Sequence, residues 1–350
     1  MRLPGKGTLL LLMMILAITP IWSARKSEPA PLQQLVWPNP PEAPRIRYLG
    51  EHRGSIDFAK KPSKWRRFLV GQETTNGTNL HKPYGVTTDS SGRVYVTDTG
   101  LGAVMVFDPR ERTVKTLGTE GPVRLVTPIG LAVDEKGRLF VSDVDLDQVF
   151  CFDLGEKVVL ALGRKEGMKN PTGLAIDKAR HRLYVADSHQ HKILIYSTDG
   201  VFLESWGSRG PDGMQFNFPT NVTVDAAGNV YVVDTGNFRV QVVSPDGVLQ
   251  SSFGEAGNAL GNFHRPKGIA VDSEGHIYVA DAAFNNFQIF GPAGELLLYV
   301  GATGRDPGAF WLPAGVHIDE QDRIFVVDQI NRRVQVFQYL SEERDKEEQL

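Results

Sequence analysis

The stretch HRPKGIAVDSEGHIYVADAAFNNFQIF, residues 264–290, decides the fold. After Pro266 an apolar run over 268–272 ends in Asp272. A D-x-x-G turn follows, and Gly275 supplies the positive φ that a tight hairpin needs. Residues 277–281 and 286–290 read as a second and a third strand, each a short run of β-branched and aromatic residues. Residues 291–294 (GPAG) turn the chain, and a fourth strand over 295–300 ends at Gly301. Working outward, the same pattern recurs six times, on prolines at 83, 128, 171, 219, 266 and 313. The spacings between them are 45, 43, 48, 47 and 47 residues. A period of that size marks a repeat architecture. Four strands repeated six times predict an all-β chain, a six-bladed β-propeller of four-stranded antiparallel blades. A solenoid is the alternative, but all-β solenoids use shorter periods.

The six repeat cores are PYGVTTDSSGRVYVTD, PIGLAVDEKGRLFVSD, PTGLAIDKARHRLYVAD, PTNVTVDAAGNVYVVD, PKGIAVDSEGHIYVAD and PAGVHIDEQDRIFVVD. They resemble the NHL-repeat family, over residues 65–337. A further D-x-x-N-x-R pattern of that family stands at 234–239 and 328–333 and is degraded at 98–103 and 143–148. The resemblance implies a six-bladed NHL propeller. It leaves the activity open, because the fold hosts binding modules and several enzymes.

Four segments are expected: 1–24, a signal peptide or N-terminal anchor; 25–44, a Pro-rich linker; 45–340, the propeller; and 341–350, a charged tail. Arg2 and Lys6 precede the apolar core 9–18, which is short for a bilayer span. The chain is therefore read as exported, to a bacterial periplasm or cell surface, with membrane contact only through an uncleaved N-terminal segment. One cysteine, Cys151, permits no internal disulfide and reads as a buried hydrophobe. A net charge of −3 argues against nucleic acid as a partner. The prolines of the linker are expected to keep it out of any packed sheet, with Trp37 pinning it to the propeller side.

The sixth repeat lacks a fourth strand, and a closed ring needs one. Two N-terminal stretches qualify, PRIRYLG at 44–50 and WRRFLVG at 65–71. Gly71 lies 12 residues before Pro83, matching the other blades, and Gly50 lies 33 before it. The spacing selects 65–71 as the closing strand and leaves 44–50 as a brace.

The long connections, 119–127, 164–170, 208–218, 255–265 and 302–312, share one face of the ring. Binding tends to live on variable loops of a rigid scaffold. Aromatic and basic residues gather there: Tyr84, Arg124, Lys165, Arg209, Arg265, Lys267 and Trp311. They are taken as the binding residues, together with His317, which breaks a column of Thr and Ala on the innermost strand. No cofactor is expected. The alternative is calcium or zinc in the central channel, held by the ring of aspartates 98, 143, 187, 234, 281 and 328, or by His317 with His189 and His191. For the aspartates the other reading is that each accepts the N–H groups of its own turn. The function expected is a non-catalytic, monomeric binding or scaffold propeller that takes a protein or anionic ligand of the cell envelope on its long-loop face. A metal-dependent hydrolase or lyase at the channel mouth is the alternative, as in enzymes related to this fold.

Overall fold

The computed structural model describes residues 35–58 and 77–341. The candidate signal segment, the stretch 65–71 and nearly all of the charged tail lie outside the described residues. Five repeats form four-stranded antiparallel sheets, and the sixth forms a sheet of five strands. The innermost strands, Pro83–Thr88, Pro128–Val133, Pro171–Asp177, Pro219–Val224, Pro266–Val271 and Pro313–Ile318, pack side by side, and the last packs on the first. The ring is a six-bladed propeller.

Burial along each strand follows from its place in the blade. Second and third strands such as Ile277–Asp281 and Asn286–Phe290 are buried at every position, because both faces pack against neighbouring blades. That is why they read as continuous apolar runs and not as alternation. Outer strands such as Val158–Leu162 and Leu296–Val300 alternate, with one face to solvent. The Gly that follows Pro-x in five of the six repeats has a steric cause where the blades approach most closely. A Cβ on Gly85 would collide with the Ile129 carbonyl, and one on Gly130 with that of Thr172.

Ring closure differs from the spacing argument. Ile46–His52, and not 65–71, pairs antiparallel with Arg333–Tyr339, so the stretch assigned as a brace forms the outer strand of blade six. Ile46 is fully buried there, and the Tyr48 ring meets Phe337 edge-on at 5.5 Å. The spacing rule assumed that an outer strand runs straight into the next blade. Here some thirty residues separate the closing strand from Pro83, and Gly54 forms a bridge with Asn79. A second correction concerns the linker. Val36–Trp37 does enter the sheet, as a fifth strand beside Arg47 and Ile46. The prolines flank this dipeptide without interrupting it, which is where an edge strand tolerates them. Trp37 does pin the segment. Its ring stands 5.7 Å from that of Phe337 and covers Gly308 so closely that a Cβ there would strike it.

Candidate functional site

The aspartate at the end of each second strand builds the long-loop face. Asp98, Asp143, Asp187, Asp234, Asp281 and Asp328 have no exposed surface. Each reaches back to the residues just before its blade's proline. His81 N donates to Asp98 at 2.6 Å, Val126 N to Asp143 at 2.6 Å and Lys169 N to Asp187 at 2.7 Å. Asn217 N, His264 N and Trp311 N do the same to Asp234, Asp281 and Asp328. The ring of acids is thus a set of loop anchors, the turn-accepting role expected of them. Among the described residues no three His, Cys, Asp or Glu side chains come together as metal ligands do.

Blade three shows what this anchoring costs. In blades four and six a guanidinium faces the buried acid: Arg239 Nε lies 2.9 Å from Asp234 and Arg333 Nε 2.8 Å from Asp328. In blade three Lys192 occupies that register opposite Asp187, and no ion pair forms among the described residues. Burial pushes the Asp187 carboxyl up from 3.8 to about 6, against the opposing pull of the Lys169 and Gln190 N–H groups. An acid with a raised folded pKa holds its proton more tightly when folded. Its contribution to stability is therefore fullest below the ordinary value of 3.8 and fades as pH rises through about 6. Lys192→Arg is expected to lower this pKa and flatten that pH slope. Urea midpoints measured across the window check it, and an unchanged slope would mean that the new guanidinium does not reach Asp187.

The backbone anchors fix where the candidate side chains start. Arg265 N is held by Asp281 at 3.1 and 3.0 Å, and its side chain is exposed. Lys267, one step past its proline, reaches across blade six to Tyr84: Nζ donates to Oη at 3.0 Å and lies 4.9 Å from the ring centre. Trp311 is exposed, with the Arg305 guanidinium 5.9 Å from its ring. Arg124 and Lys165 line one groove. Arg209 is exposed and raises the local positive potential at His191, lowering that imidazole's pKa after the larger effect of burial. His191 accepts from Phe218 N at 3.1 Å, and both His189 and His191 pack on the Phe218 ring. The structure therefore brings Tyr84 with Lys267, and Arg124 with Lys165, and leaves Arg209 apart.

His317 is a correction. It lines the channel, as its innermost-strand position implies, but at the tight-turn end and not on the long-loop face. Strand polarity explains this: it stands four residues past Pro313, towards the turn that begins at Asp319. Its Nε2 lies 2.9 Å from Thr88 Oγ1, and burial pushes its pKa down to about 4, so the ring is neutral near pH 7. The channel is narrow, with a cavity of about 210 Å³. Over its tight-turn mouth Lys178 meets Glu320 from the opposite blade at 3.5 Å.

Apart from Arg239 and Arg333, four cations on each face show a contrast in pairing. On the tight-turn face Arg93, Arg138, Arg180 and Arg323 each pair with the aspartate of their own hairpin, at 2.7 to 2.9 Å. On the long-loop face Lys82, Lys169, Arg209 and Arg265 make no ion pair among the described residues.

The repeats and their ring define the class, a six-bladed β-propeller. The NHL repeat model matches residues 263–291, and the model of the SMP-30/gluconolactonase/LRE-like region matches 131–253. No curated protein matches the chain. Among solved structures, a streptogramin B lyase is 11% identical, over 75% of this chain and 94% of that one, with a TM-score of 0.57. A gluconolactonase from Xanthomonas campestris is 16% identical over 75% and 87%, with a TM-score of 0.57. An auxiliary nutrient binding protein from Bacteroides thetaiotaomicron is 14% identical over 76% and 70%, with a TM-score of 0.56. At these identities the likeness carries the fold, and that fold is shared by lyase, lactonase and binding protein.

Proposed function

We propose that this chain is a binding propeller that captures an anionic partner, a protein or another polyanion, on its long-loop face. The observation that carries the reading is the contrast in ion pairing. Arg93, Arg138, Arg180 and Arg323 on the tight-turn face are held by the aspartates of their own hairpins, while Lys82 and Arg265, beside blade prolines, are held on anchored backbone with no carboxylate partner among the described residues. Arginine and aromatic groups on a rigid base are the usual anchors of interfaces, and clustered charge steers an oppositely charged partner. The basic and apolar N-terminal stretch supports placing that partner in the cell envelope. The test is binding of fluorescently labelled polyglutamate to the full chain. Replacing Lys82, Arg265 and Lys267 with Gln is expected to weaken it about tenfold or more, since ~1.4 kcal/mol is already tenfold. Replacing Arg110 and Lys136 on the tight-turn face is expected to change it less than about twofold. Equal losses from both sets would sink the reading.

One observation favours a second reading, a hydrolase or lyase: the His317 imidazole in the channel wall, neutral near pH 7 and within hydrogen-bond distance of Thr88 Oγ1, can orient a polar ligand there. Turnover of a lactone or a cyclic ester by the purified chain, lost in His317→Ala, would replace the binding reading with this one.

A further inference from the structure

In blades four and six the third strand opens with an arginine that ties its own strand to the loop leading into the blade. Besides its aspartate, Arg239 donates to the Asp212 and Gln215 carbonyls at 2.7 and 3.0 Å. Arg333 donates likewise to the Asp306 and Ala309 carbonyls at 3.0 and 2.8 Å. The register of blade two sets Gln148 opposite Asp143, where the other two blades set these arginines. Gln148 is buried, but its side chain is too short to serve as such a tie. Instead its Oε1 accepts from Arg164 Nε, out of the following loop, at 3.2 Å.

Beside Gln148 the fold leaves a groove of about 670 Å³. Val123, Leu146 and Leu162 give it an apolar floor, and Arg124, Arg164 and Lys165 stand exposed on its rim. None of the three cations has an ion pair among the described residues. One carboxylate lines the groove, that of Glu166, which accepts from the Tyr196 hydroxyl at 3.5 Å.

We propose that this groove seats an acidic protein segment that carries a large apolar side chain. The apolar side chain takes the floor, and its flanking carboxylates meet Arg124, Arg164 and Lys165. The proposal rests on the anion-binding reading of the long-loop face and names the partner's chemistry. Guanidinium groups suit carboxylates, which they bind in a two-pronged fork. The volume falls within the range of roughly 300–1,000 Å³ usual for ligand pockets. An anionic sugar polymer would leave the apolar floor unused, and a flat bilayer would not enter a concave site at a blade corner.

The experiment is fluorescence polarisation with the full chain and a labelled short peptide of glutamates around one phenylalanine. A lysine-for-glutamate counterpart and phosphatidylglycerol vesicles serve as the other probes. The glutamate peptide alone is expected to bind. Changing Arg124, Arg164 and Lys165 to Gln together is expected to weaken it about tenfold or more. The decisive variant is Gln148→Arg, which adds a positive charge but directs it to Asp143, as in blades four and six, and removes the Gln148 oxygen that holds Arg164 at the groove. It is expected to abolish peptide binding while leaving the fold at least as stable. Equal or stronger binding by Gln148→Arg, or capture of vesicles and not peptide, would overturn the proposal. Failure here is distinct from failure of the wider reading. If polyglutamate still binds through Lys82, Arg265 and Lys267 while the phenylalanine peptide does not bind, this inference falls and the anionic face stands.

Discussion

A chain shortened to begin at Gly54 is expected to lose its cooperative unfolding transition, whereas one beginning at Leu35 keeps it. The segment between supplies the outer strand of blade six, Ile46–His52, and the short edge strand Val36–Trp37. Its removal uncovers Phe337, which otherwise meets the rings of Trp37 and Tyr48, and strips the fully buried Ile46 from the core between blades five and six. Burying each large apolar side chain is worth ~1.5–3 kcal/mol. Three such losses approach the whole stability of a typical domain, about 5–15 kcal/mol. The deletion also removes Glu51, which accepts from the buried Arg333 at 2.9 Å. A ring with one blade lacking its outer strand exposes the unpaired edge that closure removes. Far-UV circular dichroism against urea reads the result. Matching midpoints and slopes for the two chains would reject Ile46–His52 as the closing strand.

Most of the ring was legible in the sequence because one short pattern repeats in phase. Pro-x-Gly, the apolar run, Asp and the D-x-x-G turn mark fixed structural positions in most repeats, and the structure puts a strand on all six apolar runs. The closing strand was harder to read. Its sequence, IRYLGEH, carries no proline or turn signal that ties it to the first blade, and the length of 53–82 breaks the spacing used to choose it. Pairing at a distance of nearly the full chain is set by packing on Phe337, which no local pattern records. The candidate site was legible in part. Arg124 and Lys165 were found by their residue types and loops, and they do share a groove. Arg164, which lines the same groove, was missed, although the degraded signature at 143–148 was a usable signal. A glutamine where two other blades carry arginine leaves unfilled space as well as a weaker match. His317 was found because it breaks its column, but the column gives a position on the strand and not the end of the channel at which it emerges.

The register that marks the groove in blade two makes the strongest single-residue prediction in blade six. Arg333→Ala is expected to destabilise the fold by about 3–5 kcal/mol, the range for breaking a buried ion pair from one side. Arg333 is only 1% exposed, and it ties four groups together. Its Nε meets Asp328 at 2.8 Å, one terminal nitrogen meets Glu51 at 2.9 Å, and the other meets the Asp306 and Ala309 carbonyls. It therefore links the third strand of blade six to the closing strand and to the loop that enters the blade. Asp328 would keep donors from Trp311 N, Asn331 and Gln335, but no positive charge. A lysine is not expected to rescue it, because one ammonium cannot span two carboxylates and two carbonyls. The equivalent change in blade four, Arg239→Ala, is expected to cost less, about 1.5–3 kcal/mol, as hydrogen bonds to charged groups do. Arg239 is 17% exposed and pairs with one carboxylate, and its blade closes without help from the N-terminal segment. Urea midpoints of the two variants beside the parent chain measure the difference. Equal losses at the two positions would show that the link to the closing strand adds nothing beyond the shared aspartate pair.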